Sequence, residues 1–356
     1  MKGYAIMDER ISQLLQLAVA APSGDNCQPW RMTLGDGRLQ LFNRPDQDTS
    51  LYNHAQRASL LAHGALLENL AIAAPGLGLR VEIRLFPDTA APEHVAEVIF
   101  AEGETVKDPL SYWIERRCTN RKKYVPIPLT EFQCRELVAA PGDGAAAQVH
   151  LVHEPGEVRV LAALLAKNDR LVFENRNLHA FLFDHLRWSD EEARTTGDGM
   201  DIKTLELAPP DRLAFPLLKH WQLVGFLNRL GLPYLIEHTA LKLLGSSAAI
   251  AGVSLPDLEP ATLVLGGRAV QRFWLQATAL GLAVQPVAGL ALLVQRLRSG
   301  NNDELDETQR ALVTEVGAGL DRAFDSAGRS LVMCFRLGTS APPIARALRR
   351  PVEPAR

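Results

Sequence analysis

Three arginines fall within six residues, Arg116, Arg117 and Arg121, with Cys118 and Thr119 among them. Guanidinium forks bind phosphate oxygens bidentately, and the Thr119 hydroxyl with the 118–119 backbone adds donors. A solvated charge run has the same composition, so the run alone leaves both readings open. A second polar cluster is Ala21 to Trp30, which holds Pro22, Ser23, Gly24, Asp25, Asn26, Gln28 and Pro29. Loops between rigid elements carry binding groups, yet these residues also favour turns for local backbone reasons. A third candidate is Ala288-Gly289 after Pro286, where a glycine permits close backbone approach to a flat ligand. The tail adds Arg346, Arg349 and Arg350. Arg336 sits in an apolar strand pattern, so a carboxylate or phosphate partner is expected for it.

Other candidates carry less. His63 beside Gly64 reads as a helix-packing histidine, and Trp274 as core. Asp198 and Asp201 have no third ligand in register. The four cysteines, Cys27, Cys118, Cys134 and Cys334, form no Cys-x-x-Cys pair and have no histidine at metal spacing, so no metal site or disulfide framework is expected. Glycine-rich phosphate loops, Gly-x-Ser-x-Gly and His-Glu-x-x-His are absent from the sequence.

These groups need elements to hold them. Apolar spacing predicts helices over 11–20, 54–74, 110–117, 130–139, 157–177, 178–188, 215–230, 235–244, 268–280 and 288–297. Strands are expected over 31–34, 38–42, 80–86, 94–100, 148–152, 262–265, 284–286 and 330–337. Thr130 suits a helix cap. The stretch 189–214 is polar and longer than an ordinary connection, which suggests a lid or a mobile segment. A faint repeat runs at one offset: Gly64 and Gly267 are 203 apart, as are Gly78 and Gly281, and Ala74, Leu77, Leu79 and Val81 meet Ala277, Leu280, Leu282 and Val284. Both stretches read as apolar helix, Gly-Leu, strand.

The chain has 356 residues, 47% of them hydrophobic and 22% charged, so it can bury one large core or two ordinary ones. A net charge of −3 gives no general case for nucleic acid. The apolar region 215–253 carries too many charges to span a membrane. No apolar signal core opens the sequence, and reduced thiols in the cytoplasm are the expectation.

Together these segments resemble the nitroreductase-like flavoprotein family. Pro22-Ser23-x-x-Asn26-x-Gln28-Pro29-Trp30 is similar to the family's Pro-Ser-x-x-Asn-x-Gln-Pro-Trp loop. Arg116-Arg117-Cys118-Thr119 is similar to its Arg-Arg-Ser-Thr/Val phosphate motif, with Cys118 replacing a serine and its hydroxyl donor. Gly281-Leu282 followed by Pro286-Val287-Ala288-Gly289 resembles the segment whose amides face the flavin N5 and O4. The basic tail resembles C-terminal phosphate contacts. Ordinary members are homodimers with the arginine motif first; here the Asn-x-Gln-Pro-Trp loop comes first, which resembles a divergent branch with two fused halves.

The resemblance implies an α+β fold, an α-β-α sandwich with a central, mostly antiparallel sheet, built as an intramolecular pseudo-dimer of two degenerate halves. It implies halves at 1–107 and 108–356, with the lid around 189–214 in the second. It implies one FMN per chain, with Arg116, Arg117 and Arg121 plus Arg349 or Arg350 on the phosphate. Pro22, Ser23, Asn26 and Gln28 would meet the ring edge and ribityl chain, Cys118 and Thr119 would offer donors, and Ala288 and Gly289 would tune N5. The implied activity is two-electron transfer from NAD(P)H or another donor to a nitro compound, quinone or other small acceptor, with no catalytic side chain assigned. A closed lid would instead suit a non-catalytic flavin-binding or storage protein, and a helical binding module is the third reading. No nucleic acid or membrane partner is expected, and the chain would be a monomeric pseudo-dimer or a homodimer.

Overall fold

In the computed structural model of the chain, residues 2–35, 37–125, 127–142, 146–326 and 328–352 are described, with 2–8 as backbone only. The first part runs α1 (Lys2–Ala18), β1 (Trp30–Gly35), β2 (Arg38–Asn43), α2 (Arg57–Ala73), β3 (Leu79–Leu85) and β4 (His94–Glu102). Then follow α3 (Glu131–Ala139), β5 (Gln148–Val152), α4 (Pro155–Glu174), α5 (Arg176–Asp184), β6 (Leu186–Arg187), α6 (Asp190–Thr196), β7 (Met200–Asp201), α7 (Pro209–Ala214), α8 (Trp221–Asn228) and α9 (Leu232–Leu244). The chain closes with β8 (Ala249–Leu255), α10 (Pro260–Ala279), β9 (Ala283–Pro286), α11 (Gly289–Arg298), α12 (Glu307–Phe324) and β10 (Ser330–Gly338).

The fold is α+β, as expected; eight strands form two antiparallel four-stranded sheets, β1-β2-β4-β3 and β5-β8-β10-β9, and β6 pairs with β7 in a short parallel ribbon. The two orders are the same order. In each sheet the second strand leads through a helix, α2 or α10, to the outer strand on the far side of the fourth. The repeat at offset 203 therefore has a counterpart in topology. What distinguishes the second unit is its insertions: residues 153–248 between β5 and β8, and α11–α12 between β9 and β10.

The duplicated helices cross at the duplicated glycines. A Cβ on Gly64 would lie 2.8 Å from the Gly267 Cα and overlap the Val264 carbonyl; one on Gly267 would lie 2.7 Å from the Leu61 carbonyl carbon. Backbone cannot rotate away as a side chain can, so both positions demand glycine. Around the crossing, Glu68 takes ion pairs from Arg268 and Arg272 at 2.8 and 2.7 Å, and Gln271 donates to Asn69 at 2.6 Å. One apolar core runs through α1, α2, α10 and both sheets; a second gathers α4, α5, α9, α11 and α12. The stretch Leu51–Leu77 is long and apolar enough to cross a membrane by composition, but 78% of that window is buried inside the fold.

Several expected elements change. Residues 262–265 are not a strand; they lie inside α10, which starts at Pro260, a residue preset for the first helical turn. The strand is 249–255, buried at every position, so it shows no alternation. Residues 110–117 hold only one 3-10 segment, Pro109–Trp113, capped by the Asp108 carboxylate. The expected helix over 178–188 ends at Asp184, and 215–230 is helical as α8 only from Trp221, after a 3-10 turn. Helix α12 was not among the expected elements, although Asp306 and Gln309 form a capping box at its start. Thr130 caps α3 as expected.

Candidate functional site

The loop between α1 and β1 is held in an uncommon backbone. Asp25, Asn26 and Gln28 have φ of 40, 59 and 53°, in the left-handed region that non-glycine residues seldom occupy. The Ser23 hydroxyl accepts from the Gln28 amide at 2.9 Å and closes the turn. The loop's side chains then reach out to other segments. Asn26 Nδ2 donates to the carbonyls of Gly199 at 3.0 Å and Leu348 at 2.9 Å. Gln28 Nε2 donates to the Gly197 carbonyl at 2.9 Å, and its Oε1 accepts from the Arg350 amide at 3.0 Å. The loop thus clasps the 197–199 turn and the C-terminal strap. Asn26 Oδ1 is left buried with no partner.

Beside this loop lies a cavity of ≈ 440 Å³, within the range of small-molecule sites. Ala58, Leu61, Ala62 and Ala65 of α2 form one wall, Val270 and Trp274 of α10 another. Gln285 to Gly289, with the first turn of α11, forms a third side, and Met200 and Thr204 close over it from the 189–214 stretch. At Gly289 a Cβ would lie 2.9 Å from Asn168 Cγ and 3.0 Å from Tyr52 Cε1, so a larger residue would have to displace these side chains.

Of the sequence candidates, Pro22, Ser23, Asn26, Arg117, Cys118, Thr119, Arg121, Ala288, Gly289 and Arg349 all line this one cavity. Gln28, Arg116 and Arg350 do not. Gln28 is buried in the clasp. Arg116 is exposed, stacked 3.5 Å over the Tyr112 ring and donating to the Tyr112 carbonyl at 2.8 Å. Arg350 pairs with Asp198 and donates to Gln47 Oε1 at 2.7 Å. Arg346 also lines the cavity, donating at 2.7 Å to the Glu115 carbonyl and at 2.8 Å to the Arg116 carbonyl.

Of the lining arginines Arg117 is buried, Arg121 and Arg349 are half-buried and Arg346 is exposed. Arg117 is 7% exposed, lies 4.3 Å over the Trp274 ring and donates to the Ala20 carbonyl at 2.8 Å, while its Nε has no partner. Burial, and then the charge of Arg349, push its guanidinium down to about 9. Arg349 donates to the Val19 and Ala21 carbonyls at 3.1 and 3.2 Å, and burial lowers it to about 10. Arg121 donates to the Thr204 carbonyl at 3.1 Å and points its other arm at Met200 Sδ, 3.4 Å away; burial lowers it too. No carboxylate among the described residues ion-pairs with any of the three. Asp25 and Asp169 favour the Arg121 charge, which leaves Arg117 and Arg349 as the guanidinium groups on the cavity that suit an anion.

Four carboxylates on the same cavity were not among the sequence candidates: Asp25, Asp48, Glu115 and Asp169. Asp48 accepts from the Ser50 amide at 3.1 Å and its hydroxyl at 2.7 Å. Burial raises the carboxyls of Asp25, Asp48 and Asp169, the last to about 6. Asp48 and Asp169 lie far from the motifs and from each other in sequence, and nothing local marks them. Asp25 and Asp169 lie near Tyr52 and Arg121, and Asp48 near Asp25, while Arg346 and Arg349 lie near Arg117.

Two candidates resolve into structural roles. Among the described residues Arg336 pairs with no carboxylate: it stacks 3.8 Å over Tyr124 and donates to Gln285 Oε1 at 2.6 Å and the Lys122 carbonyl at 2.8 Å. Carbonyl oxygens and an aromatic face meet its charge instead. His63 packs as expected, with Nε2 3.1 Å from Asn43 Oδ1 and its pKa lowered to about 3 by burial.

The chain is 28% identical over 348 residues to an uncharacterized protein of Mycobacterium tuberculosis; the match takes in 94% of this chain and 46% of that protein. It is 32% identical over 153 residues to a protein of the same species provisionally named an NAD(P)H nitroreductase, covering 40% of this chain and 44% of the relative. The chain is similar to mycobacterial nitroreductase-like proteins. It spans about half the length of the curated relatives it matches. No family model matches it. Among solved structures, an FMN-dependent nitroreductase from Mycobacterium smegmatis in complex with NADPH aligns at a TM-score of 0.34 and 17% identity, over 65% of this chain and 87% of that one. A nitroreductase with bound FMN from Desulfitobacterium hafniense aligns at 0.36 and 13%, over 67% and 95%.

Proposed function

We propose that this chain binds one FMN in the cavity between its two duplicated units and acts as a nitroreductase-like oxidoreductase. The observation that carries the reading is the pair of cavity-lining arginines Arg117 and Arg349, which ion-pair with no carboxylate among the described residues. A phosphate would supply the missing charge, and the orphaned Arg117 Nε would gain an acceptor. The apolar walls from α2 and α10, the Gly289 approach and the unpartnered Asn26 Oδ1 suit a flat ring with polar edges. The chain's residues therefore fit FMN.

In this reading residues 1–107 and 108–356 are the two fused halves. Arg117, Arg349 and Arg346 would hold the phosphate, with Cys118 and Thr119 alongside. Pro22, Ser23 and Asn26 would border the ring and ribityl chain, and the Ala288 and Gly289 amides, at the positive end of α11, would face the ring. Arg116, Gln28 and Arg350 would act indirectly, through the segments they hold. The flavin supplies hydride chemistry when bound; the protein contributes position, exclusion of water and field. The donor would be NAD(P)H or another reductant, the acceptor a small organic molecule such as a nitro compound or quinone, and the setting cytoplasmic.

One observation favours a second reading, a non-catalytic FMN-binding or storage protein. The amide donors of Asn26 and Gln28 are taken up by carbonyls of Gly197, Gly199 and Leu348, which fastens the lid and strap over the site. Anaerobic mixing of the FMN-loaded chain with NADH and with NADPH separates the two. Bleaching of the flavin absorbance with either supports the oxidoreductase; flavin that stays oxidised with both, yet is reduced by dithionite, supports storage. Protein that takes up no FMN removes both readings.

A further inference from the structure

Sixteen large apolar side chains among the described residues are exposed, and six of them, Leu213, Leu217, Phe226, Leu230, Tyr234 and Leu235, lie within 23 consecutive positions. Exposed apolar side chains scattered singly need no explanation, but this concentration does. It falls on α7, α8, α9 and their connections, all within the insertion between β5 and β8. Phe226, Leu230 and Tyr234 follow one another at four-residue intervals through the α8–α9 turn, and Leu230 at the turn is 71% exposed.

Between Glu237 and the exposed Asp211 every charge on this segment is basic. From 212 to 236 the chain carries Arg212, Lys219 and Arg229 and not one acidic residue, although its net charge is −3. All three basic residues are exposed, as is Lys242 further along α9. The nearest carboxylate on α9, Glu237, is already engaged, 3.6 Å from Arg170. An apolar tip with a cationic collar is the pattern of elements that sit in a lipid headgroup region, with apolar side chains inserted and cations on anionic lipid.

We propose that the α8–α9 tip docks this protein peripherally on an anionic lipid surface. No spanning helix is needed, and the flavin reading is independent of it. The proposal departs from the expectation that no membrane takes part.

The test is co-sedimentation of the full chain with vesicles of phosphatidylcholine alone and of phosphatidylcholine with phosphatidylglycerol at equal amounts. Binding to the mixed vesicles is expected to be at least about tenfold tighter and to weaken as salt rises, because screening cuts the cationic attraction. The exposed double variant Phe226→Ser/Leu230→Ser is expected to lose binding by about tenfold or more, and Arg229→Glu by about fivefold or more. Unchanged thermal melting would show that both variants still fold. Equal affinity for the two vesicle types, no binding to either, or full binding by the folded double variant would overturn the proposal. Sedimentation velocity without lipid adds an arm: self-association that the double variant abolishes would assign the tip to a second copy of the chain instead.

Discussion

Arg117→Met should separate binding from stability in opposite directions. Burial, and then the charge of Arg349, push the Arg117 guanidinium down to about 9, a shift on the order of 5 kcal/mol against the buried charge in the ligand-free fold. Methionine removes that charge and keeps an apolar side chain against Trp274. The variant loses the bond to the Ala20 carbonyl, about 1–3 kcal/mol, and the stacking on Trp274, about 0.5–2 kcal/mol. The FMN-free variant is therefore expected to be as stable as the parent chain or up to about 3 kcal/mol more stable in urea unfolding. FMN binding should move the other way. One charge-assisted phosphate contact is worth about 1.5–3 kcal/mol, so affinity should fall about 10- to 150-fold in a fluorescence-quenching titration. Riboflavin, which lacks the phosphate, should bind parent and variant alike. An FMN affinity unchanged by the substitution, or an equal loss for FMN and riboflavin, would refute the phosphate role. A ligand-free variant destabilised by more than about 3 kcal/mol would make Arg117 a structural residue.

Gly267→Ala places a Cβ against the Leu61 backbone in the α2–α10 crossing and should destabilise the chain by about 3 kcal/mol or more in urea unfolding. Asp169 holds its proton up to about 6 in the fold against 3.8 ordinarily, so the native state binds that proton more tightly than the unfolded chain. Its contribution to stability is present below about pH 4 and is lost as pH rises through 6. Asp169→Asn should flatten that part of the stability–pH curve; an identical curve would argue against the shift. Asn26→Ala removes both amide bonds to the lid and strap, about 1 kcal/mol each, and should speed limited proteolysis within 189–214 of the folded protein. Unchanged cleavage would mean that Asn26 does not fasten the lid.

The sequence made the duplication legible because its strongest constraint is local. Gly64 and Gly267 must be glycine for a backbone crossing, so the offset of 203 survives where side chains have diverged. The arginine run and the Pro22 to Trp30 loop were also readable, since motif residues carry their chemistry in their types. Strand 249–255 was not: both its faces are buried, so it has no period-two signal, while Thr262 to Leu265 borrowed that appearance inside a helix. The carboxylates of Asp48 and Asp169 were hidden because they reach the cavity only in the fold. The partners of Asn26 and Gln28 were hidden for another reason. They are backbone carbonyls of Gly197, Gly199 and Leu348, and a carbonyl leaves no trace in residue type. The arginines diverged likewise: Arg117 turns into the cavity and Arg116 outward onto Tyr112, a difference in facing that adjacent identical residues do not announce.

The central claim is a single phosphate-bearing flavin held between two duplicated units. Isothermal titration of FMN into the flavin-free chain tests it most directly. The account expects saturation at one FMN per chain, with riboflavin bound at least about tenfold more weakly for want of the phosphate contacts. No uptake of FMN, two equivalent sites per chain, or equal affinity for riboflavin would contradict it.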